Sequence, residues 1–96
     1  INIRFAVPCD CQLLHVSASQ SDANTAVLDI GPSDDPDGYL DNKNVGVSDT
    51  PAEFDRDDFV GEQHPHIAKG TVVVVTITDH DSHSDDVTVV LTFAEG

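Results

Sequence analysis

Three groups of residues have the types and spacing for chemistry: two cysteines, four of the five histidines, and many aspartates. Cys9 and Cys11 stand one residue apart. On an extended segment they share a side at about 6.6 Å, near the upper limit for a disulfide, so a bridge would need a distorted chain. A Cys-x-Cys pair could also supply half of a metal site. The preferred reading is two small, partly buried thiols. His64 and His66 flank Pro65, and His80 and His83 lie in a second polar stretch. Zinc ligation would require all four imidazoles within about 2.1 Å of one point. Both stretches are polar, and solvated loop histidines are the expected state.

The acidic stretch Ser33 to Asn44 reads SDDPDGYLDNKN. Asp35, Asp37 and Gly38 echo the middle of a calcium loop. The EF-hand pattern fails at both ends, because Ser33 would take the first position and Asn44 the twelfth, which needs a bidentate glutamate. No helices flank it. An Asp-rich turn without an ion is expected. Adjacent carboxylates such as Asp57 and Asp58, or Asp85 and Asp86, point to opposite sides of a strand and do not make a dyad. No nucleophile motif, Gly-rich phosphate loop or His-Glu-x-x-His occurs. A chain of 96 residues leaves little room for a deep cleft. The sequence therefore predicts a protein that is not an enzyme, with no catalytic, cofactor-binding or metal-binding residues and no cofactor.

The elements that would carry these residues read as strands. Thr71 to Phe93 holds two Val/Thr-rich runs around a polar insert, Asp79 to Asp86. β-Branched residues restrict χ1 and pack well on a pleated surface. Thr71, Val73, Val75 and Ile77 fall on one face of the first arm, and Val87, Val89, Leu91 and Phe93 on one face of the second. The expectation is a long antiparallel hairpin with an exposed acidic tip, its mixed Thr/Val face covered within a sandwich or by a neighbouring chain.

Upstream, Ile1 to Val7 alternates as a half-buried strand with Ile1, Ile3, Phe5 and Val7 on one side, and Pro8 ends its regular pairing. Cys11 to Ser19 is a second strand, with Leu14, Val16 and Ala18 on one face and Leu13 and His15 on the other. A polar turn, Ser19 to Asn24, leads to a third strand, Thr25 to Ile30. Gly31 to Asn44 is expected to be the longest irregular stretch, anchored by Tyr39 and Leu40. Val45 to Val47 could pair briefly. Pro51 to Val60 reads as a short strand or helical turn that tucks Phe54 and Phe59 inward. Gly61 to Gly70 reads as a loop with Ile67 inward and a turn at Lys69-Gly70. Short strands with frequent turn signals predict a single all-β domain, residues 1–96, an antiparallel β-sandwich of jelly-roll type with long acidic loops.

Charge narrows the partners. Eighteen acids, fifteen of them aspartate, face four bases, for a net charge of -14. Such a chain repels phosphates, so neither nucleic acid nor an anionic membrane surface is expected as a partner. No run approaches the length of a membrane-spanning helix. The first residues read as strand and not as a signal peptide. Solvated charge on loops, salt adaptation and cation binding all suit this acidity.

The pieces FAVPCDCQLLHVSAS, NTAVLDIG, DDPDGYLD, HIAKGTVVVVTIT and DVTVVLTF together resemble small structural proteins of tailed-phage virions. In that group a V-P-x-x-x-x-L opening strand, here Val7, Pro8 and Leu13, leads into a sandwich. A G-T/D-x-V-x-V strand after a short I-x-x-G turn, here Ile67, Gly70, Thr71, Val73 and Val75, begins the closing hairpin. The resemblance spans most of the chain and is similar to head decoration (cement) proteins or fibre and spike modules. It implies a non-enzymatic virion protein on the outer capsid surface, a homo-oligomer such as a trimer, with the major capsid protein as its partner. The Cys-x-Cys pair and the histidine-rich stretch depart from that pattern. Competing expectations are a carbohydrate-binding module of a fibre or secreted enzyme, and a calcium-stabilised adhesion domain. A single tyrosine and the lack of tryptophan weigh against sugar binding.

Overall fold

The computed structural model describes residues 2–21, 26–79 and 87–96. Its strands are β1 (Asn2–Ala6), β2 (Cys11–Ser19), β3 (Ala26–Pro32), β4 (Leu40–Asn44), β5 (Ala52–Phe54), β6 (His66–Ile67), β7 (Val72–Asp79) and β8 (Thr88–Glu95). Two single 3-10 turns, Arg56–Asp58 and Val60–Glu62, separate β5 from β6. The strands form two antiparallel sheets. The first has the order β1-β7-β3-β4. The second is built on β2, which pairs with β8 along one edge and with β6 and then β5 along the other. The expected all-β sandwich is therefore the fold.

The core lies between the sheets. β7 contributes Val73, Val75 and Ile77, β3 contributes Ala26, Leu28 and Ile30, and β2 contributes Cys11, Leu13, Val16 and Ala18. Leu40, Val45, Phe54, Phe59 and Ile67 close the ends and sides. Fully burying a side chain of this size contributes about 1.5–3 kcal/mol, so the cluster is the main source of stability. Phe54, Phe59, Ile67 and Leu40 occupy the inward places their sequence context predicts.

The expected C-terminal hairpin does not form. β7 lies inside the first sheet with β1 on one edge and β3 on the other, while β8 crosses to the second sheet and pairs with β2. The physical reason is that the Val/Thr alternation fixes which side chains face inward, not which strand lies alongside. In register, Val75 sits between Ile3 and Ile30, so both edges of β7 are taken. The acidic insert expected as the hairpin tip falls mostly in residues 80–86, outside the described residues.

Three smaller expectations also change. In β2 the register shifts between Leu13 and His15, a β-bulge that resets the alternation. Leu13 therefore joins the core and Leu14 is only half-buried, the reverse of the period-two assignment. The third strand runs on to Pro32, and Leu40–Asn44 is a strand, so the irregular stretch shrinks to residues 33–39. Ile3, placed on the apolar face of β1, is 52% exposed because β1 is an edge strand. The brief pairing near Val45 is a parallel bridge from Gly46 to Ser19.

Two glycines permit close backbone approach. A Cβ on Gly31 would stand 2.1 Å from the Asp35 carbonyl oxygen, and one on Gly46 would stand 2.0 Å from that of Thr50. At Gly31 the acidic loop thus folds directly back over the outer face of the first sheet. Beside it in register is Val74, buried although it points away from the core. The protein's own loop, and not only a neighbouring chain, can cover this face.

Leu28, fully buried in the middle of β3, should be the sensitive core position. Leu28→Ala is expected to cost about 2–5 kcal/mol in denaturant unfolding, and Val90→Ala, at a 52% exposed site, no more than about 0.5 kcal/mol. Equal effects would contradict this assignment of the core.

Candidate functional site

Among the described residues, a dense group of polar side chains sits where the acidic loop leaves β3. The loop is a pair of successive turns. The Asp35 N–H donates to the Pro32 carbonyl at 2.9 Å, and the Gly38 N–H donates to the Asp35 carbonyl at 2.8 Å. The Ser33 N–H donates to the Val72 carbonyl at 3.0 Å and the Tyr39 N–H to that of Ile30 at 2.9 Å, pinning both ends to the first sheet. Leu40, fully buried, then anchors β4. Gly, Pro and Asp are the residues that turns of this kind select.

Between this loop and β4 lies an open depression of about 590 Å³, lined by Asp29, Pro36, Asp37, Asp41, Asn42 and Thr76. Asp29 points outward from β3, and its Oδ1 accepts the backbone N–H of Asn42 at 2.7 Å. Asn42 has a φ of 57°, a left-handed conformation that asparagine tolerates better than most residues. Asp29 thus closes the bend in β4 while adding charge to the depression.

The protonated Asp35 carboxyl donates a hydrogen bond to the Asp37 carboxylate, which holds Asp35 above its ordinary range, followed by partial desolvation and the nearby charges of Asp37, Asp34 and Asp41. The loop therefore gathers like charges that resist joint ionisation. Among the described residues, no group of three or more His, Cys, Asp or Glu side chains is placed to hold a metal ion. The depression is an acidic, solvent-open hollow, and its geometry makes no ligand cage.

The other candidates are dispersed. Cys9 is half-buried and Cys11 buried, and both are free thiols. Burial pushes the Cys11 thiol up, helped by Cys9 and Asp10, so it stays protonated at neutral pH and is a poor nucleophile. His64 packs edge-on against Phe59, with ring centroids 6.4 Å apart. His66 is exposed on β6 opposite Gln12. His80 and His83 lie outside the described residues, as do Asp85 and Asp86. Asp58 belongs to a capping box: its Oδ2 accepts the Asp55 N–H at 3.0 Å, while Asp55 Oδ1 accepts the Asp57 N–H at 3.2 Å. Asp57 also lies 3.7 Å from the Arg56 guanidinium. These aspartates shape a turn.

Two polar residues with clear work were not singled out by motif. Asp10, in the turn between β1 and β2, accepts the Lys69 N–H on Oδ1 at 2.8 Å, and its carbonyl accepts the Gly96 N–H at 2.9 Å. It ties three chain segments together. Its only signal is an aspartate two residues after a proline, a common turn composition. His15 lies 3.6 Å from Glu53 on the outer face of the second sheet. Period-two counting places His15 on this face, opposite Val16 and Ala18, but does not name Glu53 as its neighbour.

Compared with protein-family models, with curated proteins and with solved structures, the chain matches none. The aromatic residues offer no broad platform among the described residues: Phe54 and Phe59 are buried, Tyr39 is half-buried, and Phe5 and Phe93 meet edge to face.

The raised Asp35 means that the folded protein holds this proton more tightly than the unfolded chain. Its stabilising contribution is full below the unfolded carboxylate range and is lost as pH rises through the raised folded value. At neutral pH the ionised group sits among like charges. Asp35→Asn is therefore expected to raise Tm at pH 7 and to leave it unchanged near pH 3. Thermal melts at the two pH values check this, and an identical shift at both would refute the crowding.

Proposed function

We propose that the chain is a capsid decoration, or cement, protein of a tailed phage. It binds the outside of the head and stabilises the shell through contact with the major capsid protein. The observation that supports this best is the acidic sandwich itself: a two-sheet body with a net charge of -14 that keeps Ile3 and Val90 exposed at its margins. Acidity keeps such a protein away from packaged DNA and is tolerated on the outer surface. Clamping neighbouring shell subunits requires a broad contact surface and no catalytic pocket.

The virion resemblance adds to this at the level of individual positions. Val7 and Leu13 are buried at either side of the first turn. Ile67, Val73 and Val75 are core residues around the turn at Gly70, whose φ is 86°. The pattern's closing hairpin is the part that does not carry over, since β7 and β8 belong to different sheets.

On this reading the protein acts as a homotrimer or similar cyclic assembly. Association would cover margins that a chain of 96 residues cannot cover alone. The test mixes purified protein with capsids that lack their decoration, and records bound mass and capsid melting temperature. Saturable binding, a trimeric mass in solution and a raised capsid melting temperature are expected. No binding together with a monomeric mass would overturn the proposal.

A further inference from the structure

On one lateral side of the sandwich, the first sheet ends in β1 and the second in β8. Phe5 and Phe93 join these edges, with ring centroids 6.2 Å apart and planes at 81°. Among the described residues β8 pairs with β2 alone. Its other edge therefore presents a row of backbone donors and acceptors with no strand beside them.

That edge lacks the usual protection. Natural edge strands are shortened, kinked, or marked with proline or lysine to prevent pairing with another chain. β8 runs for 8 residues, has no proline, and carries one charge, Glu95. Its core-side residues Val89, Leu91 and Phe93 are only half-buried, whereas those of β2, β3 and β7 are buried. The core is thus incompletely covered along this one strand. Ile3 on β1 and Val90 on β8, each 52% exposed, add apolar surface to the same two strands.

We propose that the free edge of β8 is a strand-acceptor site. It takes an extended segment of a second protein in which apolar residues alternate with lysine or arginine. The added backbone satisfies the edge, and the inward side chains of the added strand cover Val89, Leu91 and Phe93. The backbone groups demand an extended occupant, and charge decides whose chain it is. A second copy has four bases, Arg4, Lys43, Arg56 and Lys69, with no strand among the described residues holding more than one, so it does not supply that alternation. A cationic segment is attracted, and its association is accelerated by the field of a chain with a net charge of -14. This goes beyond the decoration reading and does not rest on it, because any protein offering such a segment qualifies.

The probe is an acetylated, amidated peptide of sequence KVTVKVTVK, titrated into the full chain by calorimetry at low salt. Amide hydrogen exchange is then measured with and without it. The expected result is saturable binding that weakens as salt is added, with new protection concentrated in residues 88–95. A peptide with glutamate in place of lysine should not bind. Val90→Lys, at an exposed position, should weaken binding about two- to fivefold by like-charge repulsion. The exchange map of the unaltered chain decides the question even if that variant misfolds. Absence of binding, or protection lying outside residues 88–95, overturns the proposal. So does a free chain that already sediments as a dimer with its β8 amides protected, which would assign the edge to a second copy. Capsid binding is measured separately, so failure at this edge and failure of the decoration reading are distinguishable.

Discussion

The structure depends on two-sided pairing of β2. This strand is hydrogen-bonded to β8 along its length and to β6 and β5 on the opposite edge, while Cys11, Leu13, Val16 and Ala18 face the core. The other strands of the second sheet reach one another only through it. β6 spans two residues and β5 three, lengths that would not hold as an independent sheet. Asp10 at its head completes the arrangement by bonding the turn that leads into β7 and the end of β8. One strand thus unites segments far apart in the chain. Such non-local pairing is slow to form because loop closure precedes its reward.

Much of this was legible in the sequence. The alternation in residues 71–78 and 87–94 correctly indicates Val73, Val75 and Ile77 as inward and Val90 as outward. The phenylalanines at 54 and 59 and the anchor at Leu40 are also visible as isolated apolar residues in acidic surroundings. What could not be read is partnership. A period of two records faces and is silent about neighbours, so the polar insert between two similar runs suggested a hairpin where the chain changes sheets. The bulge at Leu14 was hidden because Leu13 and Leu14 are chemically equivalent, and either could have faced the core.

The acidic loop shows how composition and geometry diverge. Its aspartates suggest cation binding, yet Asp29 is engaged with the Asn42 backbone and Asp35 with Asp37. Several of the remaining aspartates serve turns, as Asp10, Asp55 and Asp58 do. A short polar side chain that accepts backbone N–H groups is well suited to terminate strands tightly. The same residues thus supply both the turns and the negative field.

The irregularity at Leu14 bears on how the protein can change over evolutionary time. Within a strand, losing or gaining one residue ordinarily turns every later side chain over, placing oily groups in water. Here Leu14 is the additional residue between two inward sets, Cys11 with Leu13 and Val16 with Ala18. Removing it would restore simple alternation, Leu13 in, His15 out and Val16 in. The central strand of the second sheet therefore contains a site where the length of the chain can vary while the core keeps its composition.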